Sequence, residues 1–92
     1  GNAFEQARYI LHLIEGVLER TGASIECVVR TRIYLTNIED WEDVAKAHHL
    51  FFSDIKPACT LVGVAALIDP NMLVEIEVTA VHPSAAIGNA FN

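Results

Sequence analysis

Two stretches of this chain alternate one residue at a time between apolar and polar side chains, and that period of two constrains the fold more than any other feature. Across residues 27–36, Val29, Thr31, Ile33 and Leu35 fall on one side, and Val28, Arg30, Arg32 and Tyr34 on the other. Across residues 73–81, Val74, Ile76, Val78 and Ala80 oppose Leu73, Glu75, Glu77 and Thr79. Side chains alternate across a β-strand, so each stretch reads as a strand with one apolar and one polar face. A sheet of such strands needs a cover on its apolar side.

The rest of the chain supplies that cover. Over residues 3–20, Phe4, Ala7, Leu11, Ile14 and Leu18 recur at helical spacing, with Ile10, Leu13 and Val17 widening the stripe and Glu5, Glu15, Glu19 and Arg20 opposite. Gly22 is placed as a left-handed stop. Asn37 offers an N-cap for a second helix, whose expected buried stripe is Trp41, Val44, Ala45, His48, Phe51 and Phe52, and Pro57 closes the connection. Residues 59–66 are small and β-branched and predict another strand, with a turn at Asp69-Pro70-Asn71. The short turn predicts that the last two strands form an antiparallel hairpin. The first strand reaches that hairpin through a helix, a βαβ crossover. The expected fold class is α+β: a two-layer sandwich of a mixed β-sheet with two helices on one face. Residues 1–82 are expected to form a single domain, and residues 83–92 an Ala-rich tail without a period.

Composition narrows the function classes. With 52% hydrophobic residues in 92, there is material for one core. The 12 acidic residues outnumber the 6 Lys and Arg, giving a net charge of -6, which argues against nucleic acid as a partner. No apolar run approaches a membrane span. Two cysteines, Cys27 and Cys59, do not suggest a disulfide framework, so a reducing cytoplasm is the expected compartment. The chain starts at Gly1 and its sole methionine is Met72, which suggests a removed leader or tag, or a piece of a longer reading frame.

Arg30, Arg32, Tyr34, Glu75, Glu77 and Thr79 are expected on the uncovered sheet face, where cross-strand arginine–glutamate pairs can form. That face is either solvated or buried between subunits, where charges persist only if paired. Two roles are open to Cys59, a reactive thiol lining a pocket or a packing residue, whereas Cys27 at a strand start reads as structural. His48 and His49 point about 100° apart on a helix, and His12 and His82 are far off in sequence, so no metal site is expected. His48 on the apolar stripe reads as a buried or pocket-edge histidine. Glu75 and Glu77, about 7 Å apart on one strand face, are either an acid/base couple or members of an ion-pair ladder. The Gly-Asn-Ala-Phe of residues 1–4 recurs at residues 88–91 with no repeat period between.

The sequence resembles the YjgF/RidA (reactive-intermediate, or imine, deaminase) family. Residues 28–37 are similar to its first central strand, Trp41-Glu42-Asp43-Val44 and Phe51-Phe52 to its second helix, and residues 1–24, down to Gly22-Ala23-Ser24, to its first helix. Lys56-Pro57-Ala58, residues 62–67 and Leu73-Val74-Glu75-Ile76-Glu77 are similar to its closing hairpin. The resemblance implies a chorismate-mutase-like fold assembled as a trimer, with the uncovered sheet faces toward the threefold axis. It implies hydrolysis of reactive enamines and imines to keto acids and ammonia, with no cofactor or metal. An arginine grips the substrate carboxylate in such proteins and a glutamate positions the attacking water. Glu75 matches that glutamate and is the catalytic candidate. Cys59 occupies the arginine's place after Pro57-Ala58 and is the substrate-binding candidate. Ala45 stands for a common asparagine and His48 for a usual aromatic, and the family's first strands do not precede this helix. A thiol cannot make the bidentate contact that arginine makes with a carboxylate, a loss on the order of 2–5 kcal/mol of binding at a buried site. Two functions therefore compete: a divergent enamine/imine hydrolase, and a catalytically inactive oligomer that binds a small ligand or acts as a scaffold.

Overall fold

A computed structural model describes residues 2–84 of the chain. Gly1, the tail beyond Ser84 and the second Gly-Asn-Ala-Phe lie outside the described residues. The elements run α1 (Ala3–Arg20), β1 (Val28–Leu35), α2 (Trp41–Phe52), β2 (Ala58–Gly63) and β3 (Val74–Ala80), with single 3₁₀ turns at Ile25–Cys27 and Ile38–Asp40.

Helix α1 starts where Asn2 Oδ1 accepts the Glu5 N–H at 2.8 Å, satisfying a donor that no preceding turn can serve. It ends at Gly22, whose φ of +87° is the left-handed geometry expected there. Its inward line, Ala3, Ala7 and Leu11, is fully buried, and Phe4, Ile10, Ile14 and Leu18 pack against that core. Leu13 and Val17 stay about half exposed on the outer rim.

Both helices lie on one face of a three-stranded sheet of order β2-β1-β3, the two-layer α+β arrangement expected. Strand β1 is central, parallel to β2 and antiparallel to β3. The β1–α2–β2 segment is the expected crossover. The expected hairpin between the last two strands does not form: β2 and β3 sit on opposite edges of β1. The reason is length. Strand β2 stops at Gly63 and β3 starts at Val74, so residues 64–73 must bridge two strand spacings, roughly 10 Å, and they pass around the end of β1. The Asp69 turn is present within this loop, with Asp69 Oδ1 accepting the Asn71 N–H. The Gln6 side chain ties the loop to α1, donating to the Asn71 carbonyl at 3.1 Å and accepting from the Leu73 N–H at 2.8 Å.

The faces of β1 follow the alternation over Arg30–Leu35, with Thr31, Ile33 and Leu35 buried. Val28 and Val29 are the exception. Val28 turns inward and Val29 outward, the reverse of the simple alternation, because a β-bulge shifts the register between Val28 and Arg30 against β3. On α2 the buried line is Val44, Ala47 and Phe52. Trp41 and Ala45, expected in that stripe, are exposed; Ala45, one position on from Val44, is carried about 100° round the axis to the outside.

Gly16 within α1 and Gly22 just beyond it give opposite expectations for stability. A Cβ at Gly16 meets only the flexible tip of Arg20 at 3.4 Å, so Gly16→Ala should raise unfolding free energy by about 0.5–1 kcal/mol. At Gly22 the positive φ and the His82 ring at 3.3 Å both oppose a side chain, so Gly22→Ala should lower it by ~1–2 kcal/mol. Paired urea denaturation of the two variants checks both signs.

Candidate functional site: a cavity between α2 and β2

The in-register pairing of β1 with β2 sets Thr31 opposite Cys59 and Ile33 opposite Leu61. Residues directly opposite in a sheet share a face, so Cys59 and Leu61 project toward the helix layer. Above them pass the end of α2 and the segment that follows it. His48, His49, Phe52, Ser53, Lys56 and Pro57 close, with Ile33, Ala45, Cys59 and Leu61, a cavity of about 340 Å³. Cys59, one of the lining residues, is an exposed free thiol in the single copy. Cys27 is half-buried and also free.

His48 is a pocket-edge histidine, as expected. Its Nε2 lies 2.9 Å from Thr31 Oγ1, and its ring centroid 4.7 Å from that of Phe52. Thr31 is the buried polar side chain of the core, and this bond satisfies its hydroxyl. Partial burial holds the His48 imidazole below its ordinary pKa, and neighbouring His49 adds to the effect. The ring beside Thr31 is therefore neutral at physiological pH. The other histidines are dispersed: His82 Nε2 lies 2.7 Å from the Thr21 carbonyl at the end of α1, and His12 lies 3.9 Å from Glu15. Among the described residues no group of three or more His, Cys, Asp or Glu is placed to hold a metal ion.

Glu75 lies elsewhere. It pairs in register with Tyr34 on the uncovered face of the sheet and is half-buried. On the same face Arg32 stands opposite Glu77, yet the expected ion-pair ladder does not form. Neither Arg30 nor Arg32 makes an ion pair among the described residues. Instead the Tyr34 hydroxyl donates to Glu77 Oε1 at 2.6 Å, and this bond to a carboxylate raises the phenol's pKa. Cys59 and Glu75 thus project from opposite faces of one sheet, and a single copy of the chain does not bring them together.

Two residues that shape the cavity were not singled out in the sequence: Thr31, which holds His48 from beneath the wall, and Lys56, which lines it. Thr31 had a signal, being a hydroxyl on an otherwise apolar strand face, which demands a partner. Lys56 had none beyond its place before Pro57. Its φ of +52° is the left-handed region, unique among the described non-glycine residues, and its N–H donates to the Phe52 carbonyl at 2.9 Å to close α2.

A two-layer α+β domain with a cavity beside its crossover helix is the class these features define. The Endoribonuclease L-PSP family matches residues 1–82. The chain is 34% identical to the Streptomyces coelicolor protein SCO2049 over 80 residues, covering 87% of this chain and 60% of that protein. It is 31% identical to the RutC family protein PYRAB12510 of Pyrococcus abyssi, covering 87% and 62%. Among solved structures it is similar to Rv2704 of Mycobacterium tuberculosis, a YjgF/YER057c/UK114 family member, with 46% identity, a TM-score of 0.79, and coverage of 80% of this chain and 63% of that one. Yeast Mmf1 shares 27% identity and a TM-score of 0.83, with coverage of 89% and 65%. The chain therefore belongs to this family, the YjgF/RidA family that its sequence resembles. It spans a little under two thirds of the length of these relatives.

The depressed pKa of His48 has a definite sign in stability. The folded state resists protonation of this ring more than the unfolded state does, so its contribution is complete above the ordinary histidine value of about 6.5 and is lost as pH falls through the lowered one. Between pH 7.5 and 5, wild type should lose more of its denaturation midpoint than His48→Gln, which retains a partner for Thr31 without a titrating ring. Equal losses would remove this assignment.

Proposed function

We propose that this chain is a YjgF/RidA-type small-metabolite protein that hydrolyses enamines or imines to keto acids and ammonia, with Glu75 positioning the attacking water and Cys59 at the wall that receives the substrate. The observation that carries the proposal is the cavity built around Cys59, the residue in the place of the family's carboxylate-binding arginine. In the reaction, an enamine tautomerises to the imine, and water adds to the C=N carbon while a carboxylate accepts a proton from it and the nitrogen takes one up. The carboxyl returns its proton to the nitrogen of the resulting carbinolamine, and ammonia leaves as the hydroxyl gives up its proton and the carbonyl forms. Glu75 is an ionisable group suited to that proton transfer, on a strand matching the family's glutamate strand.

The opposite-face placement of Cys59 and Glu75 favours a site completed by a second copy. Strands β2 and β3 are both edge strands in the described residues, and such edges invite association. A homo-oligomer follows, with a trimer favoured by the family resemblance, in a reducing, cytoplasmic setting. No helix in the described residues is long and apolar enough to cross a membrane. RNA cleavage, the activity in the family's description, fits the charge of this chain poorly. The chain has 12 acidic residues against 6 Lys and Arg, and its open sheet face interleaves Arg30 and Arg32 with Glu75 and Glu77. The substitution at Cys59 favours a second function, an oligomer that binds the same class of small ligand without turning it over.

Ammonia release from freshly generated 2-aminoacrylate distinguishes the two. Wild type should accelerate it, and Glu75→Gln should lower that rate about 10²-fold with the fold intact by circular dichroism. A wild type with no acceleration, beside an active arginine-containing relative, removes the hydrolase and leaves the binding protein.

A further inference from the structure

The residues that line the cavity carry charge of one sign. None of the chain's 12 aspartates and glutamates is among the ten, whereas Lys56 is. In a chain with a net charge of -6, this is a local reversal. Lys56 makes no ion pair among the described residues. Its ammonium is therefore free to meet an anion that enters beside the apolar wall of Ile33, Phe52 and Leu61. A cation next to low-dielectric surface attracts an anion more strongly than one surrounded by water.

The backbone of Lys56 is a second, independent sign. At φ +52° an L side chain crowds its own backbone, and the following proline restricts the residue further. Ending α2 with an N–H to the Phe52 carbonyl asks for glycine at this position, which makes the same bond without strain. A lysine near a helix C-terminus also interacts favourably with the helix dipole, but any residue of the last turn with ordinary φ could do that. What the strained position adds is a charge at the rim of the cavity, three residues before Cys59.

We propose that Lys56 is the anion anchor of this cavity. Its ammonium takes the carboxylate of a small ligand whose short apolar chain lies against Ile33, Phe52 and Leu61, with the Cys59 thiol alongside. The proposal rests on the cavity being the ligand site, and it names the residue that supplies the charge absent from position 59. A cavity of about 340 Å³ suits a ligand of a few heavy atoms. A single ammonium gives one point of attraction where a guanidinium gives two parallel bonds, so the cavity should tolerate varied carboxylate orientations.

Calorimetric titration with 2-oxobutanoate, a keto acid, tests this without depending on turnover. Wild type should bind it, more weakly as salt rises, and should bind the neutral ketone 2-butanone at least tenfold more weakly. Lys56→Gln should weaken 2-oxobutanoate binding roughly tenfold to a hundredfold and flatten the salt dependence. Lys56→Gly should lose binding equally while keeping or raising the thermal midpoint, which separates the anchor from a structural role; Lys56→Gln carries the test alone if the glycine variant folds poorly. Unchanged binding in Lys56→Gln overturns the anchor and leaves the cavity as the ligand site. Binding by Cys59→Arg but not by wild type also overturns it, since the charge would then have to come from position 59. Absence of binding in all four proteins removes both the anchor and the ligand site.

Discussion

Strand β1 has hydrogen-bonded neighbours along both edges, parallel on one side and antiparallel on the other, and its alternation is imposed on the whole sheet. Thr31, Ile33 and Leu35 face the helices and are almost completely buried, whereas Arg32 and Tyr34 face away. Because register pairs share a face, this one strand decides the side on which every residue of β2 and β3 emerges. Cys59 follows Thr31 to the helix side, and Glu75 follows Tyr34 to the open side. A one-residue slip of β2 would carry the thiol out of its cavity to the opposite face.

The cavity depends on the same constraint through Thr31. A hydroxyl at 0% exposure on an apolar strand needs a partner, and His48 supplies it from α2. That bond fixes the rotation of the imidazole, which stacks at a tilt on Phe52 and forms part of the cavity wall. The polar bond inside the core and the rim of the ligand site are thus one arrangement. The open face is organised differently: its carboxylate Glu77 is taken by Tyr34 while Arg30 and Arg32 remain unpaired in the described residues. Arginines and glutamates arranged in this way could meet matching groups of another copy.

Much of the fold was legible in the residues themselves. Helical spacing marked α1 from end to end, Gly22 marked its stop, and the period of two marked β3 and, from Arg30 onward, β1 with their faces. Strand order was not legible, because Asp69-Pro70-Asn71 suggests a tight turn whether the loop around it is short or spans ten residues. Nor was the bulge at Val29, where two β-branched residues give no sign of which one faces inward. Cys59 and Glu75 were already candidates as a thiol and a strand carboxylate, and the resemblance to the family gave them specific roles, but nothing in spacing indicated that they leave the sheet on opposite sides. Lys56 was hidden for a different reason: its significance is a backbone angle, which composition does not encode.

On the proposed reading, ligand chemistry joins the Cys59 cavity of one copy of the chain to the Glu75 face of another. Chemical-shift mapping of the isotope-labelled protein titrated with 2-oxobutanoate tests it most directly. Saturable perturbations are expected at His48, Lys56 and Cys59 together with Glu75 and Tyr34, although these two groups lie on opposite faces of the sheet in each copy. Perturbations confined to one face, or spread without saturation, would contradict it.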